Sequence, residues 1–151
     1  ERVMAYIDVI TLERAKNYLR VDLDFDTDDS EITSMINASC RYIEKRTNHI
    51  LYARDIIYKG SCQVKVYDYP INSIVTVPTP FKVDFAMFTC YPDVKEVELN
   101  VGYGTDEVPD DLIQAMLQMI KVFYYESEKQ VNSTLIPESV KEVIDLYKRF
   151  L

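Results

Sequence analysis

Histidine is nearly missing from this chain: His49 stands alone. Cysteine is scarce and scattered, at Cys40, Cys62 and Cys90, with no CxxC pair and no histidine beside any of them. Tetrahedral zinc wants four closely arranged ligands, so the cysteines read as small buried apolar side chains rather than a metal site, and their odd number suits reduced thiols in a cytosolic setting. A cysteine nucleophile would need His49 as its base, and nothing in the sequence brings the two together. No apolar run approaches the length that spans a bilayer, and the N-terminus lacks the charged, apolar and small-residue order of a signal peptide, so a soluble protein without membrane contact is expected. Met4 reads as an initiator with Glu1, Arg2 and Val3 as a remnant ahead of it. Basic runs are missing too. With 17 Lys and Arg against 25 Asp and Glu, the net charge of −8 works against holding a polyanion, which depends on phosphate neutralisation. An acidic surface faces DNA usefully only where the DNA must slide past without sticking.

What is present, over 151 residues with 48% hydrophobic and 28% charged side chains, is about one domain's length of globular composition. The organising stretch is VGYGTDEVPDDLIQAMLQMIKVFYYESE, residues 101–128. It reads as a strand ending at Gly-Tyr-Gly, a short acidic loop, and a helix that starts at Pro109, where a missing N–H costs nothing and Asp110 and Asp111 complement the helix dipole. Leu112, Ile113, Ala115, Met116, Leu117, Met119, Ile120, Val122, Phe123 and Tyr124 leave only a narrow polar stripe at Gln114, Gln118, Lys121 and Tyr125. A helix apolar around most of its circumference must be covered on several sides.

Ahead of it, Thr11 is the expected N-cap of a short helix with Leu12, Ala15 and Leu19 on one face. Residues 22–31, DLDFDTDDSE, carry six carboxylates: Asp22, Asp24, Asp26, Asp28, Asp29 and Glu31. The spacing suggests a calcium loop of the EF-hand type, but counting from Asp22 puts Thr27 and Thr33 at the sixth and twelfth positions, and counting from Asp24 puts Asp29 and Met35 there, where Gly and Glu are required. The plainer reading is a solvated loop in which Asp28 and Glu31 cap the next helix as a capping box. That helix, about residues 30–47, places Ile32, Met35, Ile36, Ser39, Cys40 and Ile43 on one face, with Arg41, Glu44, Lys45 and Arg46 largely elsewhere. His49 follows as a surface or capping residue.

From residue 51 the period becomes alternating. A hairpin is expected around Lys59-Gly60-Ser61 with Val64 and Val66, joined by Cys62, on one face, then a strand at 73–77, a break at Pro78 and Pro80, an extended segment at 82–88, and a strand placing Val97, Leu99, Val101 and Tyr103 on one face. After the long helix, Pro137 opens a last helix with Val140, Val143, Ile144, Tyr147 and Leu151 as its apolar face and with i,i+4 pairs Lys141–Asp145 and Asp145–Arg149. The fold class expected is α+β, mainly helical, with about four helices and a small antiparallel β-sheet, residues 51–104, inserted between the second and third long helices of one domain spanning 1–151.

In this order the chain resembles the head-tail connector (adaptor, head-completion) proteins of long-tailed bacteriophages and prophages. The resemblance is carried by VITLERAKNYLRVD at 9–22, the acidic DFDTDDSEITSMINASCRYIEKRTN, YPINSIVTV at 69–77, VELNVGYG at 97–104, and VPDDLIQAMLQMIKVFYYESE ahead of IPESVKEVIDLYKRF. Residues 78–94 are shorter and more apolar than the corresponding stretch of that family. The resemblance implies a structural protein without catalytic residues or cofactors. It implies a homo-oligomeric ring beneath the portal, extending the DNA channel without binding DNA specifically and docking the tail or a stopper protein, in a virion assembled in the bacterial cytoplasm. The chain end, Lys148, Arg149, Phe150 and Leu151, is the expected portal contact. The competing readings are an enzyme built on the cysteines with His49 or on the acidic loop, and a small acidic, calcium-responsive binding module with an unidentified protein partner. The 12 tyrosines, among them Tyr91, Tyr103, Tyr124, Tyr125 and Tyr147, suit interfaces, although most are expected simply to cover a small core.

Overall fold

The computed structural model describes residues 5–60, 64–75, 81–83, 88–90, 96–126 and 136–148. In chain order the elements are α1 (Tyr6–Val9), α2 (Leu12–Leu19), α3 (Asp29–Thr47), β1 (Arg54–Lys59), β2 (Lys65–Val66), β3 (Ile71–Ile74), β4 (Phe81–Val83), β5 (Phe88–Cys90), β6 (Glu96–Val101), α4 (Asp110–Tyr125) and α5 (Glu138–Tyr147). The α+β class and the placement of the β segment between the two long helices are as the sequence implies, and α2 to α5 are the four expected helices. The additional α1 is one turn, too short to leave a periodic signal.

The helices begin and end for local reasons. Thr11 Oγ1 accepts from the Arg14 N–H at 3.2 Å and starts α2. Arg20 and Asn48, both left-handed at φ 60° and 57°, terminate α2 and α3. Pro109 and Pro137 sit at the N-caps of α4 and α5, one position before the helical residues, so Asp110 and Glu138 lead their first turns. The expected Asp28 capping box is not formed. Asp28 occupies the N-cap of α3 without a side-chain cap bond, because its carboxylate is taken by the Tyr124 hydroxyl at 2.6 Å.

Helix α4 packs against α2, α3 and α5. Its residues Leu112, Ile113, Ala115, Met116, Leu117, Met119 and Ile120 are buried, while Val122, Phe123 and Tyr124 in the last turns are only partly covered. Each large side chain so buried contributes roughly 1.5–3 kcal/mol. They join Ile32, Ile36, Cys40 and Ile43 of α3 and Val140 and Ile144 of α5 in one helical core.

A second core lies under the sheet, from Ile50, Val64, Val66, Val97, Leu99 and Val101. Adjacent residues Ile50 and Leu51 belong to different cores, so the chain crosses from one to the other at that point. Among the described residues the β region forms two three-stranded antiparallel sheets, ordered β1-β6-β3 and β2-β5-β4. The hairpin expected around Lys59-Gly60-Ser61 is replaced by non-local pairing: β1 runs against β6 from Arg54 opposite Val101 to Lys59 opposite Glu96. Val97, Leu99 and Val101 are fully buried, and Ile56, Tyr58, Ile71 and Ile74 from the two flanking strands pack against them. Val64 and Val66 do share a buried face. The strand expected at 73–77 is Ile71–Ile74, and the described parts of 82–88 belong to two strands rather than one extended segment. Ser61, Cys62, Pro78 and Pro80 lie outside the described residues.

The end of β6 is tied to the end of α3. Gly102 N donates to Pro70 O at 2.9 Å, Tyr103 N to Ile50 O at 3.0 Å, and Ile50 N to Tyr69 O at 2.8 Å. Gly102 adopts φ 117°, and a Cβ there would lie 2.2 Å from the Tyr52 carbonyl oxygen. Only glycine permits this approach.

Candidate functional site

The acidic loop between α2 and α3 is built around a cation that the chain itself supplies. Lys16 is 3% exposed. Its ammonium donates to the Phe25 carbonyl at 2.8 Å and the Leu23 carbonyl at 3.3 Å, and it pairs with Asp29. Asp22, Asp24 and Asp26 remain exposed. The loop therefore wraps an ammonium with two main-chain oxygens and one carboxylate, the kind of oxygen set that the calcium reading would have assigned to a metal. Among the described residues no group of three or more His, Cys, Asp or Glu is arranged to hold a metal ion. With their carbonyls fixed, Leu23 and Phe25 are still 49% and 46% exposed.

A second charged centre ties α1, α3 and β1 together. Glu44, expected away from the apolar face, is buried. It accepts from the Tyr6 hydroxyl at 2.6 Å, the Leu51 N–H at 3.0 Å and both Arg54 terminal nitrogens at 3.1 Å. Arg54 in turn lies 4.4 Å from the Tyr52 ring centroid, and Tyr52 meets Tyr6 edge-on. Lys16 and Glu44 both follow apolar-face residues by four, after Leu12 and Cys40 respectively, and that spacing is the signal by which sequence reasoning could have found them.

His49 is also buried rather than superficial, 6% exposed. Its Nδ1 lies 2.7 Å from the Tyr103 hydroxyl, and its ring packs against Tyr69, Tyr103 and Tyr147. It is a packing element between the sheet and α5. Cys40 is buried in the helical core, where burial pushes its thiol well above the ordinary range, so it is a poor nucleophile. Of the expected partner-binding residues, Lys148 is exposed at the end of α5, and Arg149, Phe150 and Leu151 lie outside the described residues. Lys141 pairs with Glu138 at 3.6 Å rather than with Asp145.

Residues 9–150 match the family described as phage gp6-like head-tail connector proteins. The chain belongs to this family. No curated protein matches the sequence. Among solved structures, a chain in "Virion of native gene transfer agent (GTA) particle" superposes with a TM-score of 0.77 at 16% identity, covering 100% of this connector and 95% of that chain. A chain in "Neck of empty GTA particle computed with C6 symmetry" gives 0.73 at 17% identity with the same coverage. A third, in "Neck of native GTA particle computed with C12 symmetry", gives 0.70 at 15% with the same coverage again. At these identities the likeness establishes a shared fold.

The connector meets a shortage of cations by using phenols. Tyr6 donates to Glu44, Tyr58 to Asp68 at 2.7 Å, Tyr124 to Asp28 and Tyr147 to Asp111 at 2.7 Å. Burial and then the Glu44 bond push Tyr6 from 10.0 to about 12. For Tyr124 and Tyr147 the bond to the carboxylate comes first and burial second, with the same result of about 12. Tyr58 is raised further, mainly by burial. A native state that holds these protons more tightly than the unfolded chain is favoured fully below pH 10 and loses that advantage as pH rises towards 12. Urea midpoints are therefore expected to be level from neutrality to about pH 9.5 and to fall steeply above pH 10, with tyrosinate absorbance appearing late in the folded protein. Normal titration of all tyrosines near pH 10 would contradict these pairings.

Proposed function

We propose that this connector assembles as a homo-oligomeric ring beneath the phage portal, extends the DNA channel, and presents a docking surface to the tail or a stopper protein. The observation that carries the reading is the family match across residues 9–150. The neck particles whose chains share this fold were computed with C6 or C12 symmetry, which supports a ring. The net charge of −8 supports a channel through which DNA passes without adhesion. On this reading the chain 1–151 acts as one connector unit, is not an enzyme, and resides in the virion after assembly in the host cytoplasm. The portal contact is the chain end, Lys148 with Arg149, Phe150 and Leu151.

The test is to mix the purified chain with the portal ring encoded beside it and image the product by electron microscopy. An added annular layer is expected. Folded protein well above micromolar concentration that adds no density would overturn the portal role. Retained portal binding after deletion of residues 148–151 would overturn the contact assignment alone.

A further inference from the structure

We infer that Leu23 and Phe25 of one subunit dock into the groove between α3 and α5 of a second copy, joining subunits head to tail. The inference rests on the ring reading and names the contact that builds the ring. The first observation is the Lys16 clamp. Its ammonium holds the main-chain carbonyls of the same two apolar residues that remain about half exposed. A loop whose main chain is already held in place loses little conformational entropy on binding, and that is how affinity is gained without extra area. The two apolar side chains are interleaved with Asp22, Asp24 and Asp26, all exposed.

The second observation is a groove of matching character. It has a volume of about 380 Å³, with Tyr42 and Ile144 as its apolar lining. Arg46, Lys141 and Lys148 on its walls outnumber Glu138 and Asp145, which makes it locally positive on a protein with an excess of acid. Apolar side chains framed by carboxylates meet a groove in which Tyr42 and Ile144 lie between charged walls that carry one more cation than carboxylate. Complementary charge of this kind fixes which surface is chosen and in what register.

The third observation is placement. Asp29, next to the clamp, and Arg46, on the groove, lie near opposite ends of α3, roughly 26 Å apart along the helix axis at its standard rise. Two different surfaces set apart in this way make a heterologous contact that repeats from copy to copy and closes as a ring when the rotation allows. A cup beside the loop, lined by Arg20, Lys121 and Tyr125, has a larger volume of about 600 Å³. It adjoins the loop itself at the C-terminal end of α2, so it does not supply the second, separate surface that a head-to-tail contact uses.

The test places cysteines at Asp24, between the two docking side chains, and Asp145, in a chain with Cys40, Cys62 and Cys90 replaced by alanine, and oxidises rings assembled on the portal. A ladder of disulfide-linked species extending beyond the dimer is expected, with at least a tenfold loss when either new cysteine is omitted. Should the cysteine replacements disturb folding, surface charge swaps read the same contact. Asp24→Lys with Asp26→Lys is expected to abolish ring formation, and adding Arg46→Glu with Lys141→Glu to restore it. Rings that form normally but give no ladder, give only dimers, or are indifferent to the charge swaps would overturn this contact and leave the ring reading standing. Failure of the unaltered chain to form a ring would overturn both.

Discussion

Replacing Glu44 by alanine is expected to destabilise the connector by about 3–5 kcal/mol, the range for removing one partner from a buried ion pair. The carboxylate is 9% exposed and Arg54 25%, so solvent screens the pair only partly. Its loss leaves the Arg54 guanidinium, the Tyr6 hydroxyl and the Leu51 N–H without their acceptor at once. For a chain of this length each kcal/mol corresponds to roughly 2–4 °C in melting temperature, so a fall of about 6–20 °C should be seen by calorimetry. Glu44→Gln, which keeps the shape and one acceptor, should lose about 1.5–3 kcal/mol. The cluster also anchors α1, so native-state hydrogen exchange should rise first at residues 6–10 in Glu44→Ala. A loss under about 1 kcal/mol would mean that the pair behaves as an exposed one.

Gly102→Ala is expected to be as damaging or worse. The φ of 117° is strained for any L side chain by about 1–3 kcal/mol. In addition, the new methyl would meet the Tyr52 carbonyl oxygen at 2.2 Å and the Ala53 Cα at 2.9 Å, both backbone atoms that cannot swing aside. Relief would require moving the chain that leads into β1, together with the bonds from Gly102 to Pro70 and from Tyr103 to Ile50. Loss of soluble protein, or a drop in unfolding free energy of at least about 3 kcal/mol, is the expected result. Gly104→Ala is the matched control. Its Cβ would meet only the flexible end of Glu107, and a change below about 1 kcal/mol is expected in urea unfolding. Equal effects at the two glycines would remove the backbone argument.

Periodicity made much of the helical architecture legible. The faces of α3 and α4 follow from repeats of three and four residues, and the buried apolar residues on them fall at that spacing. The strand β6 was legible for the same kind of reason, because alternation at Val97, Leu99 and Val101 has period two. The partner of β1 was not legible. The alternation in residues 54–59 is the same whichever strand lies alongside, so β6 as the partner is decided by the tertiary fold. The burial of Lys16, Glu44 and His49 is not legible in this way, because charge and polarity are ordinarily marks of exposure. Each lies at a position whose spacing or neighbours favour burial, and each is stabilised inside by partners distant in sequence or by main-chain carbonyls that no pattern announces.

By itself the sequence determined the order of elements, the two long helices and their apolar faces, the acidic character, and a family resemblance that the match over residues 9–150 upheld. Those properties are local or additive, so each can be read within a few turns of chain. The tertiary structure decided which strands pair, which carboxylates are bound by tyrosines, and that the acidic loop encloses Lys16 rather than standing open. Those outcomes depend on residues such as Tyr124 and Asp28, 96 positions apart, meeting at 2.6 Å. Burial then makes an unpartnered polar group so costly that the fold selects the arrangement in which the partners meet.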